Sequence, residues 1–135
     1  RSGSKALKNK NIFPILNKPL IQWTFDQAKE SSLINKVFVT TDDSKIETLA
    51  NESEIHTIKR PSELSTDLST SESALIHAIS IINEKYLIYP DLIVFLQATS
   101  PLRKLDDINN AINFFTSKVS VCCSKNIKHF FIFIK

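Results

Sequence analysis

A chain of 135 residues, 42% hydrophobic and 23% charged, is long enough for one domain with its own core and ordinary in composition for a globular protein. Its net charge of +3 is too mild for a nucleic-acid surface, and it carries no zinc-ligand spacing, RNA-binding aromatic signature or dense Lys/Arg stripe. No apolar run approaches the roughly 20 residues needed to cross a bilayer, and the basic start lacks the apolar stretch of a signal peptide.

The charge is unevenly placed. Cations crowd the opening, Arg1 to Asn11, which reads RSGSKALKNKN, while the acids are spread along later segments. Small residues at Gly3 and Ser4 let backbone N–H groups approach an anion, and Arg1, Lys5, Lys8 and Lys10 surround the turn with positive charge. The pattern suits a polyphosphate, against the plainer reading of a solvated basic terminus. GSKALKNK is not a Walker loop, because the G-K-[ST] ending is absent.

Beyond the loop, strand-like and helix-like segments alternate, which predicts an α/β fold with a mostly parallel sheet. Pro19 can open a helix whose apolar face holds Leu20, Ile21, Trp23, Thr24 and Ala28. Lys36 to Thr41 is a short β-branched run expected as a buried strand. Asp42, Asp43 and Ser44 then offer N-caps to a helix through Ile46, Leu49 and Ala50. Capping explains the two aspartates better than metal ligation does. Ile55 to Ile58 predicts another strand, and Lys59 to Ser71 an ordered polar loop.

Ser71 or a neighbour should cap a long helix marked by Leu75, Ile76, Ile79, Ile82 and Tyr86. Leu92 to Leu96, LIVFL, has the continuous apolar character of a central strand. Gln97 to Arg103, QATSPLR, is the loop at its carboxyl end, with Arg103 expected as a structural or surface residue. Asp106, Asp107, Ile108, Ala111, Ile112 and Phe115 predict a further helix, and Val119 to Cys123 the next strand. In that strand Cys122 and Cys123 would point to opposite faces, so reduced thiols and a cytoplasmic setting are expected. His56, His77 and His129 show no ligand spacing. In an open α/β sheet ligands bind at the carboxyl ends of the strands, and three polar loops fall at or near such ends: the basic opening, Lys59 to Ser71, and QATSPLR.

RSGSKALKNKN resembles the opening motif of the CMP-N-acylneuraminate cytidylyltransferases, the CMP-sialic acid synthetases. The likeness continues in order through NKPLIQWTFDQA, VFVTTDD, KRPSELSTDLSTSESALIHAI and LQATSPLR, from Arg1 to about Cys123. The resemblance implies a three-layer, nucleotidyltransferase-type (Rossmann-like) α/β fold. It also implies transfer of CMP from CTP to the anomeric hydroxyl of an acylneuraminate-type nine-carbon acidic sugar, with release of pyrophosphate. Under it, Arg1, Ser4, Lys5 and Lys10 fall on the triphosphate-binding loop, with Lys5 and Lys10 catalytic, and Asn11 is a nucleotide-contacting asparagine. Arg60 and Ser71 lie on the loop that embraces the cytidine, and Gln97 at the junction of nucleotide and sugar.

The plainer readings of these residues are a salt bridge to Glu63 for Arg60 and a helix cap for Ser71. The resemblance further implies Mg²⁺ held by carboxylates outside this chain, with no metal ligand within it, and a homodimer for the intact enzyme. With no methionine and an opening inside a loop, residues 1–135 are expected to be a partial nucleotide-binding domain, its first strand and C-terminal part missing, and inactive by itself. The alternatives are a cytidylyltransferase for another acidic sugar, such as 3-deoxy-manno-octulosonate, or a non-catalytic remnant.

The chain also departs from the motif. Gly3 is its only glycine, with Ser2 and Ala6 where two others are usual and Lys8 where proline is common. A positive φ at position 6 would strain Ala6. After Cys123 the likeness lapses, and KNIKHFFIFIK is expected to end as an apolar strand-former with nothing to pair against.

Overall fold

In a computed structural model the described residues are 9–66, 69–104, 106–122 and 130–134. Six strands and four helices follow in order: β1 (Pro14–Ile15), β2 (Lys18–Pro19), α1 (Leu20–Glu30), β3 (Lys36–Thr41), α2 (Ser44–Glu52), β4 (His56–Lys59), α3 (Ser71–Tyr86), β5 (Leu92–Leu96), α4 (Asp107–Cys122) and β6 (Phe130–Ile134). β1 and β2 form a small antiparallel hairpin. Its two linking residues, Leu16 and Asn17, both have positive φ, at 51° and 62°, as the tight turns that match strand twist require.

The other four strands form one sheet in the order β4-β3-β6-β5, parallel at every pairing. Successive side chains of a strand point to opposite faces, and β3 divides the core accordingly. Phe38 joins Ile58 with Ala78 and Ile82 of α3. Val39 joins a larger cluster with Ile21, Phe25 and Ala28 of α1, Ile46 and Ala50 of α2, and Ile108 and Ile112 of α4. Phe25 and Phe38 are fully buried.

Helix starts follow local chemistry. Asp43 caps α2, its carboxylate accepting from Lys45 N at 2.9 Å, and Thr70 caps α3, its hydroxyl accepting from Ser73 N at 3.1 Å. Each satisfies a backbone donor that the helix leaves unpaired.

Four expectations are corrected. Of the strand expected over Val119 to Cys123, residues 119–122 are helical instead, because α4 runs on to Cys122. A helix already propagating from Asp107 adds one hydrogen bond per residue, which outweighs the strand preference of the two valines in that stretch. The opposed cysteines of a strand are thereby lost; Cys122 ends a helix and Cys123 lies outside the described residues.

The tail, expected to lack a partner, supplies β6, paired with β3 on one side and β5 on the other. β5 is in turn an outer strand of the four rather than a central one. Its apolar run reports that both faces are covered, Leu92 and Val94 by one cluster and Ile93 and Phe95 by the other, and says nothing of how many strands flank it. Lastly, Ile76 is 68% exposed, since the buried stripe of α3 runs through Ala74, Ala78 and Ile82.

Candidate functional site

Parallel pairing brings the carboxyl ends of β3, β4 and β5 to one edge of the sheet. Thr41 stands level with Lys59, and Leu96 with Val39 through Ile134. Arg60 and Gln97, each the residue after its strand, therefore leave the sheet at the same rim. The last part of the basic opening packs against α1 and α2, beside the segment that follows β3. Asn9 adopts a left-handed conformation, φ 58° and ψ 29°, and starts a short 3₁₀ turn over Lys10–Ile12. Ile12 N donates to Asn9 O at 3.0 Å and Phe13 N to Lys10 O at 3.2 Å. A cavity of about 300 Å³ opens between this turn and the start of α2, lined by Asn9, Asp42, Asp43, Ser44 and Lys45.

Within the turn Lys10 and Asn11 are half-buried. Asn11 Oδ1 is shielded from solvent and accepts no hydrogen bond among the described residues. A shielded carbonyl oxygen without a donor is unfavourable unless something else fills that role.

Arg60 is only 3% exposed. Its guanidinium Nη2 donates to the carbonyl of Thr40, its Nε approaches Thr40 Oγ1 at 3.4 Å, and its backbone N–H donates to Thr41 O at 2.8 Å. The strand end of β3 thus anchors the start of the 60–70 loop. Further along, Ser65 Oγ donates to Pro61 O at 3.2 Å and Ser69 Oγ to Glu63 O at 2.9 Å. Ser71 is the first residue of α3, half-buried, and the capping expected of Ser71 or a neighbour is done by Thr70.

At the third strand end the Gln97 side chain is exposed, while the residue's backbone carbonyl accepts from Arg103 Nη2 at 2.9 Å. Arg103 also donates from Nη1 to Gln27 Oε1 at 3.1 Å, while Gln27 Nε2 returns a bond to Pro101 O at 2.6 Å. Arg103 is a brace for the QATSPLR loop. Burial lowers its pKa from the ordinary value, partly countered by the charge of Asp107.

The structure thus brings Lys10, Asn11, Arg60, Ser71 and Gln97 into the elements and loops around the rim, whereas Arg1, Ser4 and Lys5 lie outside the described residues, as do Ser2, Gly3, Ala6 and Lys8. Among the described residues no group of three His, Cys, Asp or Glu stands together for a metal. His56 stacks on Phe38 at 5.2 Å between ring centroids. Thr40 and Gln27 are the supporting residues that residue-by-residue reading misses. The only sign of Thr40 was the pair of threonines that closes β3, and Gln27 left none.

A parallel α/β sheet with polar loops at the carboxyl ends of its strands is the class of domain that takes ligands at that rim, and comparison with known proteins narrows it. The sequence model of a family described as cytidylyltransferase matches residues 1–128, and the chain belongs to that family. It is 36% identical over 123 residues to an N-acylneuraminate cytidylyltransferase of Escherichia coli, covering 91% of this chain and 28% of that protein. It is 32% identical over 121 residues to a pseudaminic acid cytidylyltransferase of Campylobacter jejuni, covering 89% and 52%. A CMP-N,N'-diacetyllegionaminic acid synthase of Legionella pneumophila is 34% identical over 115 residues, covering 83% and 48%. The chain spans about half or less of the length of these relatives. No helix among the described residues is long and apolar enough to cross a membrane.

Proposed function

We propose that residues 1–135 form the nucleotide-binding part of a cytoplasmic, homodimeric cytidylyltransferase that moves CMP from CTP onto an acylneuraminate-type nine-carbon acidic sugar. The intact domain in this reading has the three-layer, nucleotidyltransferase-type arrangement. The observation that carries the reading is the arrival of Asn11, Arg60 and Gln97 at one rim of a parallel sheet, in a chain of this family. The printed names of its relatives, acting on neuraminate, pseudaminic acid and a legionaminic acid product, support the sugar class.

The chemistry follows from charge and geometry. The sugar's anomeric oxygen attacks the α-phosphorus of CTP. An O–P bond forms, the bond from that phosphorus to the bridging oxygen breaks, and pyrophosphate leaves with the electron pair as the hydroxyl proton is lost. Such a transfer is governed by positioning and by stabilisation of the charge that builds on the leaving group. Lys5 and Lys10 are the catalytic cations, with Arg1 and Ser4 completing the grip on the triphosphate. Asn11, Arg60 and Ser71 hold the cytidine, and Gln97 stands where nucleotide and sugar meet. In this reading Mg²⁺ would be held by carboxylates outside this chain, and no step here is assigned to it.

The test is a CTP titration of the chain beside Lys5→Ala and Lys10→Ala. A charge-assisted hydrogen bond contributes about 1.5–3 kcal/mol, so each variant should bind roughly ten- to a hundredfold more weakly. Equal affinity in all three removes the loop from the site. A longer clone that forms no CMP-sugar from any nine-carbon acid would favour the non-catalytic reading.

A further inference from the structure

A cavity of about 340 Å³ lies where the β1–β2 turn, α1 and the QATSPLR loop meet, and most of its lining is apolar. Ile15 and Leu16 supply the turn's side of it, Trp23 the helix's side, and Pro101 and Leu102 the loop's side. Leu102 is 96% exposed and Leu16 83%. Leu16 also holds φ at 51°, a left-handed value that is unfavourable for a bulky side chain. Single exposed leucines are ordinary, but these two border one apolar hollow, and contiguous apolar surface of that kind marks a place of binding. Trp23 Nε1 donates to Ile15 O at 3.2 Å, which ties the indole to the turn.

The polar members of the lining are Gln27 and Arg103. Arg103 is half-buried, and both acceptors of its guanidinium are neutral: Gln27 Oε1 at 3.1 Å and the backbone carbonyl of Gln97 at 2.9 Å. A guanidinium has five N–H donors, and no carboxylate forms an ion pair with this one among the described residues. Burial works against its charge, and the nearby charge of Asp107, whose carboxylate accepts from Lys104 N at 2.8 Å, offsets that only in part. A half-buried cation between neutral partners favours the arrival of an anion.

We infer that this cavity is a binding site for a small amphiphilic carboxylate, its apolar body held among Leu16, Trp23 and Leu102 and its acid group on the Arg103 guanidinium. The cavity is at the small end for ligand pockets, which suits a single ring or a short branched chain. One cation in an apolar lining suits one negative charge and not the several of a triphosphate. The site therefore stands apart from the one proposed for CTP and does not rest on it. Because the same guanidinium holds the Gln97 carbonyl, an occupant touches the brace of the rim's third loop.

Trp23 is the only tryptophan of the chain, so a single indole N–H resonance reports on the cavity. Titrating the isotope-labelled chain with hydrocinnamate should move that resonance to saturation. Hydrocinnamyl alcohol, which lacks the charge, should bind at least about tenfold more weakly. Leu102→Asp, at a side chain already in water, should keep the parent's melting temperature and weaken hydrocinnamate at least about tenfold. Arg103→Gln should bind acid and alcohol alike, whereas Arg103→Lys should still prefer the acid.

A shift that never saturates, equal affinity for acid and alcohol in the parent, unchanged affinity in Leu102→Asp, or a preference for the acid that survives in Arg103→Gln overturns the inference. So does displacement of hydrocinnamate by CTP, which would make the cavity part of the nucleotide site. An indole shift that follows protein concentration without ligand would make the occupant a second copy of the chain and overturn it as well. A chain that binds hydrocinnamate and ignores CTP contradicts the site proposed at the rim and leaves this one standing.

Discussion

Arg60 and Gln97 flank the same rim with opposite characters, and the contrast is testable. Arg60 is buried and holds the Thr40 carbonyl, so Arg60→Ala strips a partner from a buried acceptor. Urea unfolding should show a loss of about 1–3 kcal/mol, along with weaker CTP binding. Gln97 is exposed and its side chain braces nothing described. Gln97→Ala should change stability by no more than about 0.5 kcal/mol, and any loss in binding then belongs to the ligand. Thr70→Ala should cost about 1 kcal/mol in the same assay, because the hydroxyl that caps α3 is gone. These residue types were visible in the chain, but their supports were not. The pairing of Arg60 with Thr40 exists only because β3 and β4 run parallel in one register.

For whole elements, periodicity was a good guide where a stretch was long and one-sided. Of the α1 face predicted from Leu20, Ile21, Trp23, Thr24 and Ala28, all but the half-buried Trp23 are buried, and Phe25 joins them. Phe25→Ala should cost about 3–5 kcal/mol by unfolding, the usual loss for a fully enclosed aromatic ring. Gln27, on the same helix, reaches the QATSPLR loop. Gln27→Ala should speed exchange at the Ser100 amide and lower CTP-dependent protection there, with α3 unaffected. Short apolar stretches were a weaker guide. VSVCC and FFIFI both read as strand-formers and only FFIFI is one; local sequence carries no information about which one a growing helix absorbs and which one finds two waiting edges.

At the level of the molecule the proposed function makes the carboxyl rim the binding surface and assigns its positive charge to the cations of the opening stretch. Exposed cations gripping a triphosphate are screened by salt, the Debye length falling from about 10 Å at 0.1 M to about 3 Å at 1 M. CTP affinity should therefore drop severalfold across that range, and Lys10→Ala should flatten the dependence; calorimetry at a series of NaCl concentrations decides it.

Alternation of segment types, the capping aspartates and the ordered blocks from RSGSKALKNKN to LQATSPLR were enough to establish an α/β chain of the cytidylyltransferase family, because period, cap and motif are local properties written within a few residues. Tertiary structure alone decided that Phe130–Ile134 lies between β3 and β5, that LIVFL takes an outer place, and that Thr40 and Gln27 brace the rim. Those outcomes depend on which backbone edges meet across the fold, a competition settled by the pairing of distant strands and invisible in any single stretch of chain.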